Sequence, residues 1–256
     1  MKGSIVGDVV GSIYEFRNNK STSFPLFTNR CKYTDDSVMS IATMDALMNR
    51  LSFATAYKRW YAKYPKAGYG PSFRRWAQSG SYSPYNSYGN GSAMRVAAVA
   101  WWAKSLEETL KLAKESAEVT HNHPEGIKGA QATAAAIYLA KTGSNKEQIK
   151  QYIEKTFGYY LDESTDSIRS WYRYDVSCQG TCPQAIRCFL ESNDFEHAIR
   201  LAVSIGGDTD TIACITGSIA EAMYGIPTDI EQQAMRRLPA DLKAVVDQFY
   251  LKNQGR

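Results

Sequence analysis

The sequence predicts an all-α fold, a single compact multi-helix domain. Helix-like apolar runs follow one another with short joints, and convincing alternating strand patterns are few. Residues of the kind that cap helices open many of these runs. The 256 residues show no linker and no repeat, so 1–256 reads as one domain with a substantial core.

Residues 3–16 read as a helix with a small-residue stripe. Gly3, Gly7 and Gly11 recur at four-residue spacing and let another backbone approach one face. Glycine costs roughly 1 kcal/mol against alanine in an exposed helix, so three imply tight packing at the centre. Asp8 and Glu15 lie on a second face, and 17–33 read as loop. A helix over 35–49 carries Met39, Met44 and Met48 as core. Further helices are predicted over 53–64 and, from Pro71 in the first turn, to about 79. Residues 80–92 are a Gly/Ser/Asn/Tyr loop feeding a helix over 93–104. Ser105 and Glu108 spell a capping box for a helix to about 120. An alanine-rich helix over 126–141 follows Pro124, and another runs to Phe157, closed by Gly158. Residues 162–174 are polar and aromatic. The last helices are predicted over 183–191, 195–205, 211–224 and 240–252.

Composition excludes several classes. Thirty basic against 26 acidic residues give a net charge of +4, too slight to imply nucleic acid or a membrane surface. Five cysteines match no zinc spacing and read as buried free thiols. No signal-peptide core and no membrane-length apolar run is present, which places the chain in the cytoplasm, with a monomer expected.

Two stretches concentrate chemistry at helix starts: Thr34-Asp35-Asp36-Ser37 and Gly206-Gly207-Asp208-Thr209-Asp210-Thr211. One cap needs one side chain, so these stretches hold more oxygen ligands than capping requires. If Asp35, Asp36, Asp208 and Asp210 converge, they need a counter-charge, and neither motif contains Lys or Arg. Divalent cations would supply it, and all-oxygen ligands suit Mg²⁺ or Mn²⁺. Two independently capped helices are the plainer alternative. The loop at 80–92 admits two readings, a flexible connection or a backbone cradle for phosphate with tyrosines to stack on a base. His121 and His123 lack a third zinc ligand and the strands that a His-Asn-His nuclease needs, so a histidine lining a pocket is the better reading.

Five blocks, in order, resemble the ADP-ribosylglycohydrolase family: Gly7-Asp8 to Glu15-Phe16, Thr34 to Ser37, Gly89 to Arg95, Thr120-His121 with Gly129-Ala130 beyond, and Gly206 to Thr211. They span most of the chain. The resemblance implies an all-helical fold and a magnesium-dependent hydrolase with a binuclear metal site. It implies Thr34, Asp35, Asp36, Asp208, Asp210 and Thr211 as ligands of two Mg²⁺, with Mn²⁺ as substitute. Ser87, Tyr88, Gly89 and Asn90 would hold a diphosphate, with Gly91 and Ser92 completing the substrate loop. Tyr88 and Tyr82 would face adenine and His121 the ribose. Glu15 or Asp36 would take the proton of the attacking water. The implied partner is an ADP-ribosylated protein or a small ADP-ribose conjugate. The bond expected is N-glycosidic to arginine, with serine O-linkage or O-acyl-ADP-ribose as alternatives. A non-catalytic ADP-ribose binder and a nucleotide phosphohydrolase are the readings from other classes.

Overall fold

The computed structural model describes residues 1–254, which form fifteen helices and no sheet. In chain order they are α1 (Lys2–Gly11), α2 (Asp35–Asn49), α3 (Phe53–Lys63), α4 (Pro71–Gln78), α5 (Gly91–Met94), α6 (Ala97–Trp102), α7 (Leu106–Glu118), α8 (Pro124–Lys141), α9 (Lys146–Phe157), α10 (Thr165–Trp171), α11 (Cys178–Glu191), α12 (Phe195–Ser204), α13 (Thr209–Tyr224), α14 (Thr228–Met235) and α15 (Ala240–Gln254). One hydrophobic core joins them, and all five cysteines are free and buried in it. No described helix is long and apolar enough to cross a membrane.

The centre is a pair of backbones. A Cβ on Gly3, Gly7 or Gly11 would stand 2.2, 1.9 or 2.4 Å from the carbonyl oxygen of Gly217, Ala213 or Thr209. The glycine stripe of α1 therefore lies directly against α13, as the spacing predicts. Thr209 Oγ1 donates to Gly11 O at 2.9 Å, which ties the end of α1 to the start of α13.

Several boundaries differ from the sequence expectation. The first helix stops at Gly11, so Glu15 sits in the following turns rather than on a shared face with Asp8. The helix expected over 93–104 is two, α5 and α6. Between them Arg95 is fully buried, donating to Ser116 O at 2.9 Å and to Thr120 Oγ1 at 2.7 Å, its guanidinium 4.1 Å from the Tyr57 ring centre. Helix α11 starts five residues before Pro183, because Ser177 caps it by accepting from Gly180 N at 3.1 Å. Pro183 lies inside that helix. Helices α10 and α14 were not expected. The capping box of α7 is modified: Ser105 Oγ accepts from Glu108 N at 3.0 Å, while Glu108 returns to Lys104 N at 2.7 Å, one residue early.

Candidate active site

The first acidic block opens α2, and Thr34 is its cap, accepting from Asp36 N at 3.3 Å. Neither aspartate is therefore needed for capping. The block is held by Asp8 of α1, which is fully buried. Asp8 accepts from Thr34 Oγ1 at 2.7 Å, Thr34 N at 2.9 Å and Ser37 N at 3.1 Å, and also from Ser37 Oγ. Burial pushes the Asp8 carboxyl up, and the Ser37 and Thr34 bonds offset part of that.

The second block opens α13. Gly206 and Gly207 both have positive φ, +76° and +79°. Asn18 Oδ1 accepts from Gly207 N at 3.0 Å, and Lys20 Nζ donates to Ile205 O at 2.6 Å and Tyr172 O at 3.0 Å. The segment after α1 thereby pins the double-glycine turn. Asp208 occupies the N-cap position yet makes no capping bond. Its Oδ2 instead accepts from Asn90 Nδ2 at 2.7 Å, and Asn90 also donates to Thr181 Oγ1 at 3.1 Å. Asp210 Oδ1 accepts from the neighbouring Thr211 N at 3.0 Å.

Both blocks line one cleft of about 550 Å³ together with Glu15, and Thr34 and Thr211 line it too. Oxygens of Glu15, Asp208 and Asp210 lie within 4.8 Å of one another. Burial and the Asp210 charge push Asp35 and Asp36 well above the usual carboxylate range. Burial and the Asp208 charge do the same to Asp210. Burial foremost takes Asp208 up to about 6, and burial with the Asp210 charge takes Glu15 up to about 7. No Lys or Arg ion-pairs with any of these five among the described residues. Asp36 Oδ2 is buried without a hydrogen-bond partner. An orphaned anionic oxygen among crowded carboxylates is what a hard divalent cation satisfies, so the residues fit a metal.

The 80–92 loop forms the opposite wall. Asn90 N donates to Val176 O at 2.7 Å and Cys178 N to Tyr88 O at 2.8 Å, so Gly89 and Ser177 pair as a lone antiparallel bridge. Ser87, Gly89, Asn90, Gly91 and His121 line the cleft. Gly91 packs so closely that a Cβ there would lie 3.2 Å from His121 Nε2. The Thr120 hydroxyl accepts from Arg95 at 2.7 Å and lies 2.7 Å from His121 Nδ1, which orients the ring so that Nε2 stands beside Gly91. Burial holds the imidazole well below its ordinary range, hence neutral.

Three expected substrate contacts lie elsewhere. Ser92 is buried and donates to Gly126 O at 2.7 Å. Tyr88 is exposed with its ring 5.4 Å from that of His123, and Tyr82 is exposed beside Lys58. None of the three lines the cleft. Tyr85 does, 6.0 Å from the His121 ring. Tyr174 also lines it, donating to Glu15 Oε1 at 3.2 Å and stacked on the exposed Phe16 ring at 6.1 Å. Sequence reasoning missed Tyr85, Tyr174, Asn18 and Lys20. Position within the 80–92 loop was a signal for Tyr85, and nothing local marked the others.

The sequence profile of the ADP-ribosylglycohydrolase family matches residues 1–256. The chain belongs to the ADP-ribosylglycohydrolase family. Among relatives of this glycohydrolase, ADP-ribosylhydrolase ARH3 of Mus musculus is 27% identical, over 88% of this chain and 83% of the relative. ADP-ribosylarginine hydrolase Tri1 of Pseudomonas putida is 28% identical, over 88% of this chain and 69% of the relative. A solved structure titled ADP-ribosylglycohydrolase-related protein complex shares the fold at TM-score 0.74 and 24% identity, covering 98% of this chain and 95% of that one. Family and relatives together support ADP-ribosyl hydrolase activity for this glycohydrolase.

Proposed function

We propose that this glycohydrolase releases ADP-ribose from an N-glycosidic linkage to arginine, using two Mg²⁺ held by Thr34, Asp35, Asp36, Asp208, Asp210 and Thr211. The observation that carries this is the Asn90–Asp208 bond, which joins the phosphate-loop wall to the carboxylate wall in a single cleft. A diphosphate on the Ser87–Gly91 backbone would lie beside the cluster, leaving the terminal ribose over the carboxylates. When bound, the cations would orient the ribose hydroxyls and polarise a water. Mn²⁺ would serve the same role.

The chain's own groups supply the rest. His121 presents Nε2 on the ribose side, its ring held by the Thr120 hydroxyl at Nδ1. Glu15, whose carboxylate accepts from Tyr174 beside the cluster, is one candidate to take the proton of the attacking water, and Asp36 is the other. Water oxygen bonds to the anomeric carbon as the carbon–nitrogen bond breaks through an oxocarbenium-like state. The electron pair leaves with the guanidine nitrogen, which takes up a proton. Arginine is preferred because an acidic cleft suits a cationic leaving group, and because arginine is the acceptor in the printed name of the Tri1 relative.

The test is release of free ADP-ribose from arginine-linked and serine-linked peptides, each with Mg²⁺ and with EDTA. Metal-dependent release from the arginine peptide is expected. Release only from serine would move the acceptor to the O-linked alternative, and phosphate release would indicate a phosphohydrolase. Binding of ADP-ribose without release from either peptide would indicate a binding protein.

A further inference from the structure

A second cavity of about 490 Å³ adjoins the cleft, lined by Lys32, Tyr33, Lys63, Tyr64, Lys66 and Ala67 among others. It is continuous with the cleft, because Lys32, Lys66 and Ala67 line both. None of the phosphate-loop residues 87–91 lines it. Its cations differ in kind. Lys63 is spoken for, 2.5 Å from Asp241 and 5.1 Å from the Trp60 ring centre. Lys32 and Lys66 are exposed and make no ion pair among the described residues.

The placement is informative because the cleft next door is acidic. Lys32 draws Glu15 down, but burial and the Asp210 charge leave it raised. The two lysines line both the cleft and the annex without ion-pairing with any of the carboxylates among the described residues. With the diphosphate on the Ser87–Gly91 wall, the annex, which none of those residues lines, would be left for the acceptor chain.

We propose that this annex binds an anionic side chain, carboxylate or phosphate, close to the modified residue of a peptide acceptor. The inference rests on the hydrolase reading above and specifies its acceptor. Lysine ammonium groups on flexible stems attract either anion without selecting its geometry, so both sources share one chemistry. Each pairing at an exposed site changes affinity by up to about fivefold and is screened by salt.

The test uses four ADP-ribosyl-arginine peptides that differ only in their flanks: glutamate, phosphoserine, alanine and lysine. With Mg²⁺ at low salt, kcat/KM is expected to run glutamate and phosphoserine above alanine above lysine. The glutamate-to-alanine ratio should be about fivefold, expressed in KM rather than kcat, and should shrink in 0.5 M salt. Preference for phosphoserine alone would identify phosphate as the source, and equal preference would leave charge as the sole criterion. Lys32→Ala/Lys66→Ala should bring the glutamate-to-alanine ratio near one. Equal kcat/KM for the glutamate, phosphoserine and alanine peptides in the unaltered protein would overturn the proposal. So would a ratio unchanged in the double variant. If no peptide is cleaved, the hydrolase reading fails separately, and the same ratio is then read as Kd in EDTA with the same two overturning results.

Discussion

Asn90 donates its amide to Asp208 at 2.7 Å, joining residues 118 apart in sequence. This bond fixes the distance between the wall that would hold phosphate and the wall that would hold metal. Asn90→Ala should leave Asp208 and Thr181 without that partner and lower kcat/KM about 10- to 100-fold, as loss of a group orienting a ligand does. Steady-state kinetics on the arginine-linked peptide checks it. A variant with unchanged kcat/KM would show that Asp208 orients itself.

Asp8 should matter without touching substrate. It receives four hydrogen bonds from Thr34 and Ser37. Asp8→Asn replaces one accepting oxygen by an NH₂ group that meets donors, and should cost about 3 kcal/mol of stability. The urea midpoint measures this. Mg²⁺ affinity should fall with it, since Asp8 holds the turn that carries Asp35 and Asp36.

Asp208→Ala should abolish turnover and also shrink the rise in melting temperature on adding Mg²⁺. A ligand that binds only the folded state stabilises it by mass action, and removing a cation-binding oxygen weakens that linkage. Thermal melts with Mg²⁺ and EDTA separate the two effects. A Mg²⁺-induced rise as large as in the unaltered protein would exclude Asp208 as a ligand.

The carboxylate cluster also sets the sign of a pH effect in EDTA. Glu15 is raised to about 7 and Asp208 to about 6, each above its unfolded value of 4.5 or 3.8. The folded protein therefore binds more protons than the unfolded chain between those limits. Stability falls as pH rises through about 6 and then about 7. The EDTA-treated protein should melt higher at pH 5.5 than at pH 7.5. Saturating Mg²⁺ replaces the protons and should remove or reverse that difference. A melting temperature in EDTA that rises from pH 5.5 to 7.5 would contradict the crowding described here.

Much of the site was legible because its carboxylates come in two short blocks, each with more oxygens than a helix start needs. The structure gives neither block's aspartates a capping bond: Thr34 caps α2, and Asp208 at the start of α13 caps nothing. The glycine stripe was legible too, since four-residue spacing states which face is bare. The fastening was not. Lys20 reaches Ile205 O over 185 residues, and Tyr174 reaches Glu15 over 159, so no local pattern announces either. Helix α10 carried a readable signal in Ser164, which accepts from Ser167 N at 3.2 Å, but its polar, aromatic composition concealed it. The split at Arg95 follows from a buried guanidinium bonded to Ser116 and Thr120, and a sequence alone does not show burial.

The α1–α13 seam has a consequence for how the chain is made. Its two halves are nearly the first and nearly the last parts of the domain to be translated, and the Gly11–Thr209 bond spans 198 residues. A ribosome produces α1 long before the backbone it must lie against exists. The three-glycine face then has no partner, and a glycine-rich helix holds its shape poorly alone. Closure of the cleft must therefore be a late event of high contact order, after most other helices have emerged. A chain truncated before residue 209 would contain the entire phosphate loop and the first acidic block, and would have nothing to close them against.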